Sequence, residues 1–392
     1  MSQEDGDRRL APVRRALLFG NFTIGCGVMV TAGTLNDMAA SLQVSVALVG
    51  QLIAIAAVVM GIGAPLLAGW VSGFDRRRLL AWSLLGYAIG HALCVLMPSY
   101  GTLWPVRALT MLGGAVFTPQ AAAAIGFMAP PAQRGRAITY IFLGWSIASV
   151  AGLPLGAWLG ETYGWRTAFL AVGALNAVAA VWVFRVMPDD VRPAALSARA
   201  WKDVFASPVL MAMVGVTALH SAALFSLFAY FAPYFKDVLG ANPTQISLMF
   251  ACYGACGFIG NVLLSRHIDR LGPGRTVTAV LCGTAISMLL WPLAGSLALA
   301  ALVMVPGGLA AFAVNSGQQA RLGAAAPPLA PALMALNTSA IYLGQAVGAS
   351  GGGWLIAHHG YAALSWMSLG WALLAIAASA WVGSRRASAI TA

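Results

Sequence analysis

Charge is what this sequence has least of. Only 8% of its 392 residues are Asp, Glu, Lys or Arg, against about 25% in an ordinary soluble domain. A chain so poor in charge cannot cover itself in water, which excludes a soluble fold. Acids are scarcer than bases, 11 against 22, and no acid falls in the middle of an apolar run. Cysteine is sparse too. Residues 26, 94, 252, 256 and 282 lie inside apolar segments without metal-like spacing, so neither a disulfide framework nor a metal site is expected. No G-x-x-x-x-G-K-[ST] phosphate loop occurs, which excludes ATP drive within this chain. No H-E-x-x-H and no paired mid-membrane acids occur, so an intramembrane hydrolase lacks its catalytic groups. The chain is read as no enzyme, with no cofactor.

What the sequence has is length of apolar run. It is 60% hydrophobic, with a mean hydropathy of +0.82. Runs of roughly 20 residues recur, each long enough to cross a bilayer as a helix. The alternating segments of roughly 10 residues that a β-barrel needs are missing. An all-α membrane protein of twelve spans is expected, at about 15–37, 47–71, 79–97, 102–128, 136–160, 165–186, 207–235, 244–266, 276–295, 297–320, 331–357 and 361–383. The longest hydrophilic connection, 187–206, divides the chain into bundles at 1–186 and 207–392.

The charges that remain sit between the runs. With the N-terminus inside, 19 of the 22 Lys and Arg fall in cytoplasmic segments, leaving Arg107, Arg166 and Lys236. Both termini are therefore expected in the cytoplasm. The net charge of +11 is spread over short loops instead of one basic face, which argues against nucleic acid as a partner.

The two halves repeat. "SRHIDRLGPGR" (265–275) echoes the loop "GWVSGFDRRRLLAW" (69–82), with Asp269-Arg270 matching Asp75-Arg76. "GLPLGAWLGETYGW" (152–165) aligns with "GASGGGWLIAHHGY" (348–361) at an offset of 196, half the chain. Two parallel six-helix halves of this kind enclose a midplane site and rock to give alternating access.

On these residues the sequence resembles the major facilitator superfamily, and within it the drug:proton antiporters, which include sugar, nucleoside and drug efflux permeases. The matching stretches are "GWVSGFDRRRLL", "WPVRALTMLGGAVFTP", "PPAQRGRAITYIFLGWSIASVAGLPLGAWLGETYGWRTAF" and "ALNTSAIYLGQAVGASGGGW". The sequence departs from the family pattern at Val71 and Arg77, where glycines are usual, at Gln133, and at Leu153, which separates Gly152 from Pro154. The resemblance implies a proton-driven exporter, working as a monomer in the bacterial inner membrane, with a small-molecule substrate, protons and the lipid bilayer as its partners. An importer on the same fold, and a sensor that has lost transport, are the alternatives.

The resemblance also implies roles for residues. Asp75 and Arg76, with Asp269 and Arg270, are expected to form a cytoplasmic gate between the halves. Arg107, about five residues inside the fourth span, carries the family's proton-coupling arginine. Asp37, at the end of span 1, reads as its partner or as an outer helix cap. His220, deep in span 7, reads as a proton carrier or as a neutral hydrogen-bonded histidine; His91, on the peripheral third span, has a weaker case. Gly152, Pro154 and Gly156, repeated by Gly348 and Gly352, form small-residue stripes that let helices approach. They are expected at the seam between the halves, with Pro154 adding a kink. Asn21, Thr23, Gln120, Tyr230, Asn315, Asn337, Tyr342 and Gln345 are expected to line a cavity for a neutral or weakly cationic solute.

Overall fold

The computed structural model describes residues 3–71, 73–130, 134–192, 198–326 and 329–391. Among these residues every regular element is helical. In chain order they are α1 (Gln3–Gly33), α2 (Leu35–Leu42), α3 (Val46–Trp70), α4 (Arg76–Leu96), α5 (Tyr100–Met128), α6 (Arg134–Ile147), α7 (Leu153–Tyr163), α8 (Trp165–Val186), α9 (Ala198–Phe205), α10 (Pro208–Phe228), α11 (Phe231–Pro233), α12 (Pro243–Leu271), α13 (Pro273–Leu290), α14 (Leu297–Ala325), α15 (Ala330–His359) and α16 (Ala363–Thr391).

Helix ends follow local chemistry. Ser99 and Thr102 form a reciprocal cap at the start of α5, and Asn242 and Gln245 do the same for α12. Such caps satisfy amide groups that the first turn leaves open. Gly164 and Gly360 join the last two helices of each half with φ of +90° and +73°, a region that only glycine enters cheaply. Their numbers differ by 196, the sequence repeat.

Eleven helical segments among the described residues are long and apolar enough to span a membrane. The twelfth crossing is α15, which falls short in hydropathy although it runs 30 residues. Asn337, Thr338, Ser339, Gln345 and its many glycines dilute it. Its position explains the dilution. It packs between α3 and α10, and Asn337, Ser339 and Gln345 are buried there. The chain is thus a twelve-helix membrane protein of six plus six.

Three spans are interrupted. Between α6 and α7 a wider turn covers Ala148–Gly152, where the Leu153 N–H donates to the Ala148 carbonyl five residues back. Pro154 follows; it has no N–H to continue the ordinary ladder. A second wide turn, Tyr234–Val238, follows Pro233. Span 1 breaks at Thr34 into α1 and α2.

The small-residue stripes pack inside each bundle, which corrects the expectation that they form the seam. A side chain at Gly144, Gly152 or Gly160 would strike Leu18, Cys26 or Thr34 of the first span. One at Gly344, Gly348 or Gly352 would strike Ala218, Ala222 or Ser226 of α10. Cys26 and Ala222 are again 196 apart, so the duplication extends from the sequence to the contact. Carbonyl groups of the facing helix occupy the space a Cβ would need at Gly144, Gly344, Gly348 and Gly352, and the Cys26 and Thr34 side chains occupy it at Gly152 and Gly160.

The seam uses other residues. A Cβ at Gly254 of α12 would lie 2.6 Å from the Ser149 carbonyl, and one at Gly61 of α3 would lie 3.2 Å from Tyr342. At the Asp37 end the bundles are also tied by Lys236 Nζ to Glu161, 3.4 Å, and by Ser247 donating to the Pro154 carbonyl, 2.9 Å. Gly353 of α15 sits in this closure: a Cβ there would lie 2.6 Å from Tyr230 Oη, 2.8 Å from Gln51 Nε2 and 3.0 Å from the Ala47 carbonyl. Gly353→Val is expected to wedge this end open while each bundle stays folded. Disulfide trapping between cysteines placed at Glu161 and Lys236 should then fall about tenfold, with thermal stability within about 2 kcal/mol of wild type. Unchanged trapping would show that Gly353 does not set the closure.

Candidate functional site

Arg107 is fully buried, although a charge at this depth is costly without partners. Its guanidinium Nη2 donates to the Gly27 carbonyl at 2.6 Å. Nη1 lies 3.0 Å from His91 Nε2, and the plane sits over the Phe169 ring at 5.3 Å. Gly27 is glycine for a reason on the page: a Cβ there would fall 2.6 Å from Tyr87 Oη. The bare backbone lets α1 bring its carbonyl to α5.

Two neighbours fix the proton on His91. Nδ1 lies 2.8 Å from the Tyr87 carbonyl, which can only accept, so Nδ1 carries the hydrogen. Nε2 faces a guanidinium, which can only donate, so Nε2 is bare. The ring is a neutral imidazole offering a lone pair to a cation. His91 and Arg107 sit eight residues either side of Ser99, the N-cap of α5. That symmetry was a signal for the pair in the sequence, and reading the third span as peripheral obscured it.

This places Arg107 away from its expected partner. Asp37 Oδ2 accepts the Trp165 N–H at 2.6 Å, which caps the start of α8. Asp37 has the capping place of the two offered by the sequence. The second half has a matching device, where Tyr361 Oη donates to Asp237 at 2.8 Å. Burial, and then that bond, push the Tyr361 phenol up in pKa.

The second half carries no cation at the equivalent place; its buried cation, Arg321 of α14, donates to Ser379 instead. Adding 196 to 91 and 107 gives Ser287 and Val303, and Ser287 Oγ donates to the Val303 carbonyl at 2.6 Å. The same helix pair thus meets through an arginine and a histidine in one half and through a hydroxyl in the other.

The polar candidates divide. Asn337 accepts from Thr217 at 2.6 Å and donates to Asn315 at 3.1 Å. Gln318 donates to Thr217 at 3.2 Å and to the Met213 carbonyl at 2.7 Å. Thr217 and Gln318 were missed by the sequence reading, because a single threonine or glutamine in an apolar run carries no periodic signal. His220 lies one turn beyond Thr217, buried, and neither ring nitrogen makes a hydrogen bond. The near carbonyl is that of Ala311.

Other candidates are helix-to-helix ties. Asn21 donates to the Ile141 carbonyl at 3.2 Å, and Thr23 donates to Asn176 at 2.9 Å. Tyr230 is fully buried and donates to the Ala349 carbonyl of its own bundle at 2.7 Å, while its ring fills the space beside Gly50 of α3, which puts it at the seam. Gln120 is buried on α5, and Tyr342 and Gln345 are buried on α15.

The described contacts of the first-half loop charges stay within one bundle. Asp75 caps α4 by accepting the Arg78 N–H at 3.2 Å. Arg76 donates to the Val71 and Phe74 carbonyls. Arg77 pairs with Asp189 at 2.7 Å and stacks on Phe184, which ties the loop to the end of α8. Arg270 is exposed on α12; the side chain of Asp269 lies outside the described residues.

The sequence profile of the Major Facilitator Superfamily matches residues 17–240 and 215–391. The chain is 32% identical over 342 residues to "Inner membrane transport protein YdhP" of Escherichia coli (strain K12), covering 87% of this chain and 88% of that protein. It is 24% identical to the MFS-type transporter YbcL of Bacillus subtilis (strain 168), covering 92% of each. Among solved structures, a D-xylose-proton symporter superposes with a TM-score of 0.74 at 19% identity, covering 94% of this chain and 96% of that one. An inward-facing bacterial homologue of the human lysosomal transporter Spinster gives 0.72 at 18% identity, covering 97% of each.

Proposed function

The chain belongs to the Major Facilitator Superfamily, and from that premise we propose that it exports a small neutral or weakly cationic organic solute in exchange for protons. The observation that carries this reading is the contrast between the halves. One holds a buried cation against a titratable ring, Arg107 and His91. The other holds an uncharged cluster, Thr217, Asn315, Gln318 and Asn337, with the unbonded ring of His220 beside it. A fixed cation next to a proton acceptor suits coupling, and neutral donors and acceptors suit an uncharged ligand. The relative named as an inner membrane transport protein supports the bacterial inner membrane as its place; in this reading the Lys and Arg distribution puts both termini in the cytoplasm, and one chain is the working unit.

The test is transport in proteoliposomes with an acidic lumen, using uridine, D-xylose and tetraphenylphosphonium as probes and protein-free vesicles as the blank. None of the three is trapped by protonation. Exchange predicts accumulation of at least one probe in the acidic lumen by about tenfold over the blank, abolished when the gradient is collapsed. Accumulation on the alkaline side would make the chain a symporter. Movement that ignores the gradient would remove the proton from the mechanism.

A further inference from the structure

We propose that His91 Nε2 is the proton-binding atom of this transporter and that Arg107 is released from it when the proton arrives. The inference deepens the proton-coupled reading and rests on it.

The geometry leaves little choice of site. The described carboxylates near the membrane ends are engaged elsewhere: Asp37 at the Trp165 amide, Glu161 at Lys236, Asp237 at Tyr361 and Asp75 at the α4 cap. Facing the His91 ring are Arg107 from α5 and Tyr87 from its own helix, with Cys94 near the Arg107 guanidinium. From α1 come the Gly27 carbonyl and, beside it, Cys26. From α8 come Phe169 and Gly173, which do not titrate. Of these groups only the imidazole presents a bare nitrogen lone pair to the cation.

A proton on Nε2 changes the contact in sign. The acceptor of Arg107 Nη1 becomes a donor, and two cations then face each other at a separation that was 3.0 Å. The Gly27 carbonyl, held by Arg107 Nη2, is also within reach of the His91 ring. The new N–H takes that carbonyl, and the guanidinium loses both partners at once. Gly27 lies on α1, which packs along α6 and α7, and α7 carries the Pro154 carbonyl bonded to Ser247 across the seam. Loss of one proton-sensitive contact therefore reaches a helix that joins the two bundles. Ser287 and Val303 at the equivalent place give one such site per chain.

The test has two arms. In the first, the protein carries nitrogen-15 histidine and arginine and sits in lipid nanodiscs without solute. The His91 resonances are assigned by their loss in His91→Gln, or, should that variant not fold, by elimination with Gln at each of the other four histidines. At neutral pH the expected pattern is Nδ1 protonated and Nε2 bare, and on acidification the Nε2 and Arg107 Nη signals move together. An Nε2-protonated ring at neutral pH, or Arg107 signals that ignore the His91 titration, overturns the proposal. In the second arm His91→Gln, whose amide oxygen still accepts from Arg107 but cannot titrate, is compared with wild type for whichever probe moves. Gradient-driven accumulation is expected to fall about tenfold while gradient-free counterflow stays within about threefold. Accumulation that persists in His91→Gln overturns His91 and leaves the exchange reading standing. Absence of gradient drive in wild type overturns the exchange reading, and the first arm then judges the proton site by itself.

Discussion

Replacing Arg107 with lysine is expected to cost as much gradient-driven transport as replacing it with alanine, about tenfold or more. The reason is geometric. The guanidinium spends two separate nitrogens, one on the Gly27 carbonyl and one on His91, while its plane lies over Phe169. An ammonium is a compact point charge that cannot hold both partners in a fixed fork, nor stack on the ring in the same way. Charge is preserved and the bridge between α1, α4 and α5 is not. The readout is accumulation of a transported probe under a pH gradient in proteoliposomes, with protein content and orientation matched. Arg107→Lys activity near wild type would mean that charge alone suffices and that the bridge is incidental.

Gly348→Val is expected to prevent recovery of folded protein, with a loss of about 3 kcal/mol or more, at the upper end for overpacking. Its Cβ would strike the Ala222 carbonyl and lie 2.9 Å from the Ser226 amide nitrogen. Both are backbone groups of α10, which cannot turn aside as a side chain does. Gly351→Ala is the control. There the Cβ meets the Met367 sulfur at 3.1 Å, and the flexible end of a methionine moves cheaply. The control is expected to stay within about 1 kcal/mol of wild type. Thermal unfolding followed by light scattering and size-exclusion recovery distinguish the two. A folded, transport-dead Gly348→Val would return the stripe to the moving seam, where the sequence pattern had suggested it.

The sequence alone determined the class. A bilayer demands apolar runs of helix length and allows charge only at their ends, so composition and spacing are sufficient to count spans. The duplication was legible because both halves still carry the same glycine spacing, 196 residues apart. Even α15, the least hydropathic span, was visible through its repeat of the fifth span. Which way each residue points was not in the sequence. A stripe every four residues fixes one face of a helix, and any neighbour can take that face. The packing gave it to Cys26 and Ala222 inside the bundles. Arg107 shows the same limit. Its depth was readable, but its partner depended on how α4 and α5 rotate against α1, and that rotation brought His91 and Gly27 to it while Asp37 turned to the Trp165 amide. Helix number and length follow from local solvation of the backbone. Helix rotation is settled by many weak contacts shared across the bundle, and only the tertiary structure holds their sum.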